Sequence, residues 1–136
     1  MAGPVAEITM RWREGLIFEA GAPGRPLVRV DGDSTVATSP VELLLVAAAT
    51  CTASDIVLIL GKQRVTLRSL EATVQGTRRE EQPRRYTAMH FLFTVRGDGA
   101  DELKARRAID LSLEKYCSVV ASLAPDIRIT YDVQLR

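Results

Sequence analysis

The strongest constraint on this chain is one long helix signal between Ser39 and Gly61. Ser39 suits an N-cap, Pro40 suits the first helical position, and Glu42, three residues after Ser39, completes a capping box. The helix is expected to run to about Leu60, with Gly61 as its stop and Lys62 and Arg64 complementing the negative end of the dipole. Its middle, Ala47-Ala48-Ala49-Thr50-Cys51-Thr52-Ala53-Ser54, is built from small side chains. Another backbone can therefore approach closely, and burial over much of the helix circumference is expected.

The segments on either side carry strand periodicity. Ile8, Met10 and Trp12 alternate with polar residues, the period of a half-buried strand. After Glu14-Gly15, Leu16 to Ala20 reads as a returning strand, and a turn at Gly21-Ala22-Pro23-Gly24 precedes a third near Leu27 to Val30. Beyond the helix, Leu70, Ala72 and Val74 alternate up to Gly76, a candidate bulge, and Arg78 to Arg85 reads as a charged loop. Met89, Phe91, Phe93 and Val95 then alternate with Ala88, His90, Leu92 and Thr94, a strong strand. A second helix is expected from about Ala100 to Leu123, with an apolar stripe of Ile109, Leu113, Tyr116, Cys117, Val120 and Leu123. After Pro125 a last strand alternates Ile127, Ile129, Tyr131, Val133 and Leu135 with polar residues. The order β-β-β-α-β-β-α-β predicts an α+β fold, a mostly antiparallel sheet packed on two long helices, in a single domain over 1–136.

Composition narrows the function classes. Eighteen Lys and Arg against seventeen Asp and Glu leave a net charge of +1, so there is no electrostatic case for nucleic acid. The longest uninterrupted apolar run, Leu43 to Ala49, is short for a bilayer span. Met1-Ala2-Gly3-Pro4 lacks the features of a signal peptide. A cytoplasmic, non-membrane protein is expected. Two cysteines and one histidine cannot supply the usual four-ligand structural zinc site.

Cys51 and Cys117 each lie on the apolar stripe of an expected helix. Taken singly, each is explained as a small buried hydrophobe. As a pair they can be a redox couple, two unrelated core residues or a structural disulfide, the last disfavoured in the cytosol. Asp55, one turn after Cys51, would oppose its ionisation. His90 alternates away from the core face of its strand, which places it poorly for a Cys–His dyad.

The contexts of the two cysteines carry a resemblance. Ser39-Pro40-Val41-Glu42-Leu43-Leu44-Leu45-Val46-Ala47-Ala48-Ala49-Thr50-Cys51, with Thr52-Ala53-Ser54-Asp55-Ile56-Val57-Leu58-Ile59-Leu60 after it, resembles the first-cysteine helix of the OsmC/Ohr family. Tyr116-Cys117-Ser118-Val119 resembles the second-cysteine motif, and the element order is similar from about Ile8 to Leu135. The resemblance is to the OsmC-like branch. It implies an intertwined homodimer and a thiol-dependent peroxidase acting on organic hydroperoxides in oxidative stress defence, without metal, haem or flavin. Cys51 would be the peroxidatic thiol and Cys117 the resolving one, recycled by a dithiol reductant. A ligand-binding or redox-sensing protein on the same scaffold is the alternative. The best-characterised branch carries an Arg in the first hairpin and a Glu directly after the helix-starting Pro. Here Val41 follows Pro40, the carboxylate is displaced to Glu42, and Arg25, in Gly24-Arg25-Pro26, lies nearest the corresponding hairpin. The candidate site residues are thus Cys51, Cys117, Glu42 and Arg25, with Glu42 also accounted for by its capping box.

Overall fold

Strand and helix signals resolve, in the computed structural model, into two compact units, one ending at Leu44 and the other running Leu45–Arg136. The structure describes residues 2–136.

In the first unit, β1 (Thr9–Glu14), β2 (Ile17–Gly21) and β3 (Val28–Asp31) form an antiparallel meander. Gly15, at φ +52°, makes the first turn, and the Trp12 indole N–H closes it on the Gly15 carbonyl at 2.8 Å. The expected half-buried face is not found: β1 is exposed along its whole length, Trp12 to 64%. Within the unit a single three-stranded layer has no second layer to bury its apolar side chains. The polar connection after β3 is folded around Asp31, whose carboxylate accepts the N–H groups of Asp33, Thr35 and Val36 at 2.8, 3.0 and 2.9 Å. Those bonds, Val36 foremost, hold its pKa below the ordinary aspartate value.

Helix α1 (Pro40–Lys62) starts as its sequence requires. The Glu42 N–H donates to the Ser39 hydroxyl at 3.2 Å and the Ser39 N–H to the Glu42 carboxylate at 3.0 Å, a closed capping box. Its other end differs from expectation. Gly61 stays helical, and Arg64 takes the left-handed conformation at φ +63°. The Val65 N–H then reaches the Leu60 carbonyl at 3.0 Å and the Arg64 N–H the Gly61 carbonyl at 3.1 Å, a Schellman closure. Only the stripe Ala48, Thr52, Ile56 and Leu60 is buried, rather than much of the circumference. One sheet offers a helix one face of contact, and Val46, Val57 and Leu58 are left exposed.

The second unit contains the larger core. β4 (Thr66–Arg78) pairs antiparallel with β5 (Tyr86–Asp98), and β5 pairs parallel with β6 (Arg128–Leu135). Three of the four strand pairings in the described chain are antiparallel, and the α+β order is the expected one. Met89, Phe91, Phe93 and Val95 are fully buried, and with the α1 stripe they make the core. Gly76 is no bulge: it stands in register opposite Met89. A Cβ there would lie 2.4 Å from Cε1 of Tyr86, so the ring of Tyr86 occupies the space a side chain would take.

The second helix is broken. After α2 (Glu102–Leu111), capped by Asp101, the backbone widens into a π turn over Ser112–Tyr116. Cys117 is extended (φ −72°, ψ 102°), and α3 (Ser118–Ala121) follows. The expected single stripe to Leu123 is therefore interrupted at the cysteine itself. Nothing like Gly or Pro marks the break. At the break stands the fully buried Ser112, whose hydroxyl donates to Asp55 of α1 at 2.8 Å.

Candidate functional site

Five side chains of the second unit, Cys51, Thr52 and Asp55 on one side and Ser112 and Cys117 on the other, meet between α1 and the π turn. Cys51 and Cys117 are both free thiols, Cys51 partly exposed and Cys117 buried to 3% exposure. The two thiols are close enough for Cys51 to bear on the titration of Cys117. The sulfur of Cys117 accepts from the Thr52 hydroxyl at 3.5 Å and from the Val120 N–H at 3.4 Å. Burial pushes the Cys117 thiol above its ordinary value, and the neighbouring Cys51 adds to that, while the two donors act in the opposite direction. Asp55 and Ser112 form the second link across the same gap.

Thr52 and Ser112 were not singled out by sequence reasoning. The signal was present: each is a hydroxyl on an otherwise apolar helical stripe, Thr52 with Ala48, Ile56 and Leu60, Ser112 with Ala105, Ala108 and Ile109. A fully buried hydroxyl has to find a partner.

The other candidates have separate occupations. Glu42 is held by Ser39 and by the Ser34 hydroxyl, and these bonds, Ser34 first, lower its pKa. Arg25 is exposed in the turn after β2, its N–H bonded to the Ala22 carbonyl at 3.3 Å. His90 points from the other face of β5, where Thr130 and Asp132 engage it at 2.7 and 3.2 Å. It is thereby removed from the thiols. Tyr116 is half exposed, with the Lys115 ammonium 5.3 Å from its ring centroid. Beside Asp55, a cavity of about 370 Å³ is walled by Leu58, Ile59, Leu111 and Tyr116, with Lys62 and Arg107 also lining it. Among the described residues no group of three metal-ligating side chains is gathered.

A family profile described as OsmC-like protein matches residues 31–132. The chain belongs to the OsmC-like family. This OsmC-like chain is 38% identical to Protein YhfA of Escherichia coli K12 over 127 residues, 93% of this chain and 95% of that protein. Its fold matches a crystal structure of a hypothetical protein from Aquifex aeolicus with TM-score 0.85 at 26% identity, covering 98% of this chain and 99% of that one. It also matches an organic hydroperoxide resistance protein OsmC from Legionella pneumophila, TM-score 0.67 at 14% identity, over 97% and 99% of the two chains. By length and composition α1 could cross a membrane, its apolar window having a mean hydropathy of 2.2. The long helix of a globular fold passes the same test, and Asp55 within α1 is hydrogen-bonded to Ser112.

Proposed function

We propose that this OsmC-like protein is a cysteine-based peroxidase that reduces organic hydroperoxides in the cytoplasm as part of oxidative stress defence. The observation that carries the reading is the pairing of a partly exposed Cys51 with a buried Cys117 inside one site. Cys51 thiolate attacks the O–O bond, the alkoxide leaves and takes up a proton, and Cys51 becomes a sulfenic acid. Cys117 condenses with it, losing water and forming the Cys51–Cys117 disulfide, and an external dithiol restores both thiols. Glu42 fixes the start of the helix that carries Cys51, and Arg25 is the candidate activating cation. The hydroperoxide resistance of the Legionella protein supports the reaction class, by analogy of fold.

The whole chain acts as one domain within a homodimer. The apolar side chains left exposed on α1 and β1, among them Val57, Leu58, Met10 and Trp12, support a second copy as their cover. Light scattering on purified protein tests this, a dimer being expected.

The reaction is tested by mass spectrometry after one equivalent of cumene hydroperoxide, on wild type and Cys51→Ser. The expected result is a Cys51–Cys117 disulfide in wild type, with turnover that several dithiols sustain and Cys51→Ser abolishes. Two unmodified thiols in wild type would overturn the reading. The cavity beside Asp55 favours a second reading, a binding or redox-sensing protein for a small apolar ligand. A ligand retained in native mass spectrometry, with both thiols inert to peroxide, would select it.

A further inference from the structure

Resting on the peroxidase reading, in that it takes the Cys51–Cys117 disulfide as its starting point, the reduction step has a direction set by the site. We propose that the reducing dithiol attacks Sγ of Cys51 and that Thr52 is a positioning residue, its hydroxyl holding Cys117 as the departing sulfur.

Two independent observations lead there. The first is access. A thiolate must reach the sulfur it attacks, and Cys117 is only 3% exposed whereas Cys51 is partly open. The second is where the hydroxyls of α1 go. Thr50 and Ser54 each donate to the backbone carbonyl one turn back, Val46 and Thr50, both at 2.8 Å, the habit of hydroxyls within helices. Thr52, fully buried between them, donates instead to the Cys117 sulfur at 3.5 Å. The Val120 N–H reaches the same sulfur at 3.4 Å. Two donors thus converge on the one sulfur that water barely reaches. They can supply to a departing thiolate the stabilisation that solvent supplies to an exposed one.

The incoming thiolate forms a bond to Sγ of Cys51, the Cys51–Cys117 bond breaks, and the electron pair leaves on Cys117, which then takes a proton from solvent. The second thiol of the dithiol, as thiolate, attacks its own sulfur in the mixed disulfide and releases Cys51 as thiolate. The reductant leaves as a disulfide, two electrons having passed to the protein. Burial alone works against the departure, because it disfavours charge on Cys117, and a thiol of higher pKa leaves more slowly. The Thr52 bond offsets that penalty.

The test forms the disulfide with diamide, without peroxide, in wild type, Thr52→Ser and Thr52→Val. Each is treated with 2-mercaptoethanol, quenched in acid and mapped by peptide mass spectrometry. The mixed disulfide is expected on Cys51, and its formation is expected to slow roughly 3- to 10-fold in Thr52→Val, as for a poorer leaving thiol, with Thr52→Ser restoring it. In a Cys51→Ser background, thiolate absorbance at 240 nm should show the Cys117 titration moved upward by Thr52→Val and not by Thr52→Ser. An adduct on Cys117 in wild type overturns the direction and needs no variant to show it. An unchanged rate and titration in Thr52→Val overturn the role of Thr52. Failure of diamide to form the disulfide overturns the proposal as a whole. A disulfide made by diamide but never by hydroperoxide removes the peroxidase reading instead, and the exchange experiment then still decides the direction.

Discussion

Replacing Gly76 by alanine tests the packing of the larger sheet at a single point. The added methyl carbon would lie 2.4 and 2.8 Å from Cε1 and Cδ1 of Tyr86 and 2.9 Å from Cδ2 of Leu45. Carbon atoms in favourable contact stand about 3.5–4.0 Å apart, so the ring has to withdraw by about 1 Å, while the Leu45 methyl can rotate aside. Tyr86 is only 6% exposed, so neighbouring atoms resist that movement. Overpacking of this kind costs about 1–3 kcal/mol. For a chain of this size that corresponds to a fall in Tm of roughly 3–10 °C. The assay is urea denaturation of Gly76→Ala, Tyr86→Ala and the double variant at one fixed protein concentration, which matters for any dimer. With the ring gone the methyl should cost little, leaving a coupling energy of about 1 kcal/mol or more. An equal penalty in both backgrounds would refute the steric argument, because the cost would then belong to the backbone of β4.

Three further outcomes follow from particular contacts. Arg64→Gly should raise stability by about 0.5–1 kcal/mol, the left-handed strain being only partly offset by the greater freedom of glycine when unfolded; Arg64→Ala should not, and equal urea midpoints for Arg64→Gly and wild type would refute the strain. Asp31 has a folded pKa below its unfolded one, so its contribution is present above the ordinary aspartate value and lost as pH falls through the lowered one. Trp12 fluorescence should therefore report acid unfolding of the first unit, and Asp31→Asn should lower stability at neutral pH and flatten this acid dependence. Ser112→Ala and Asp55→Ala should each destabilise by about 1 kcal/mol, with the double variant costing less than their sum; strict additivity in urea titrations would show that the bond between them contributes nothing.

Much of the fold could be read from the residues because its signals are local. The capping box of Ser39 and Glu42 needs only three positions to specify a helix start, and it closes as expected. The alternation through Met89, Phe91, Phe93 and Val95 needs only the pleat, and all four are buried. The failures share a different cause. Gly61 looked like a stop, yet the helix ends with Arg64 in the left-handed region. The bonds that close the end there come from Val65 and from Arg64 itself, and Val65 is buried with Leu60. Gly76 looked like a bulge because a sequence cannot say which ring lies over it. Half-burial of β1 rests on periodicity alone, and periodicity marks a face that can be covered without showing what covers it.

The candidate site shows the same division. Both cysteine motifs could be read along the chain, but what joins them could not, because it depends on a break that no Gly or Pro announces. On α1, Thr52 and Asp55 stand three residues apart and so share one helical face. Across the gap they hold Cys117 and Ser112, the residue just after the π turn and its first residue. An uninterrupted α-helix would bond the residue 117 N–H to Leu113, whereas Cys117 donates instead to the Ser112 carbonyl at 2.7 Å. The wider loop lets Cys117 leave the helix in extended conformation, so its sulfur accepts from both Thr52 and Val120. The π turn is thus fastened at both ends by hydroxyl bonds to α1. Loosening one end by Ser112→Ala should alter the Cys51–Cys117 pairing as well as stability. Diamide crosslinking in that variant measures the effect: slower disulfide formation at matched secondary structure supports the fastening, and an unchanged rate would show that the Ser112 bond does not position the second thiol.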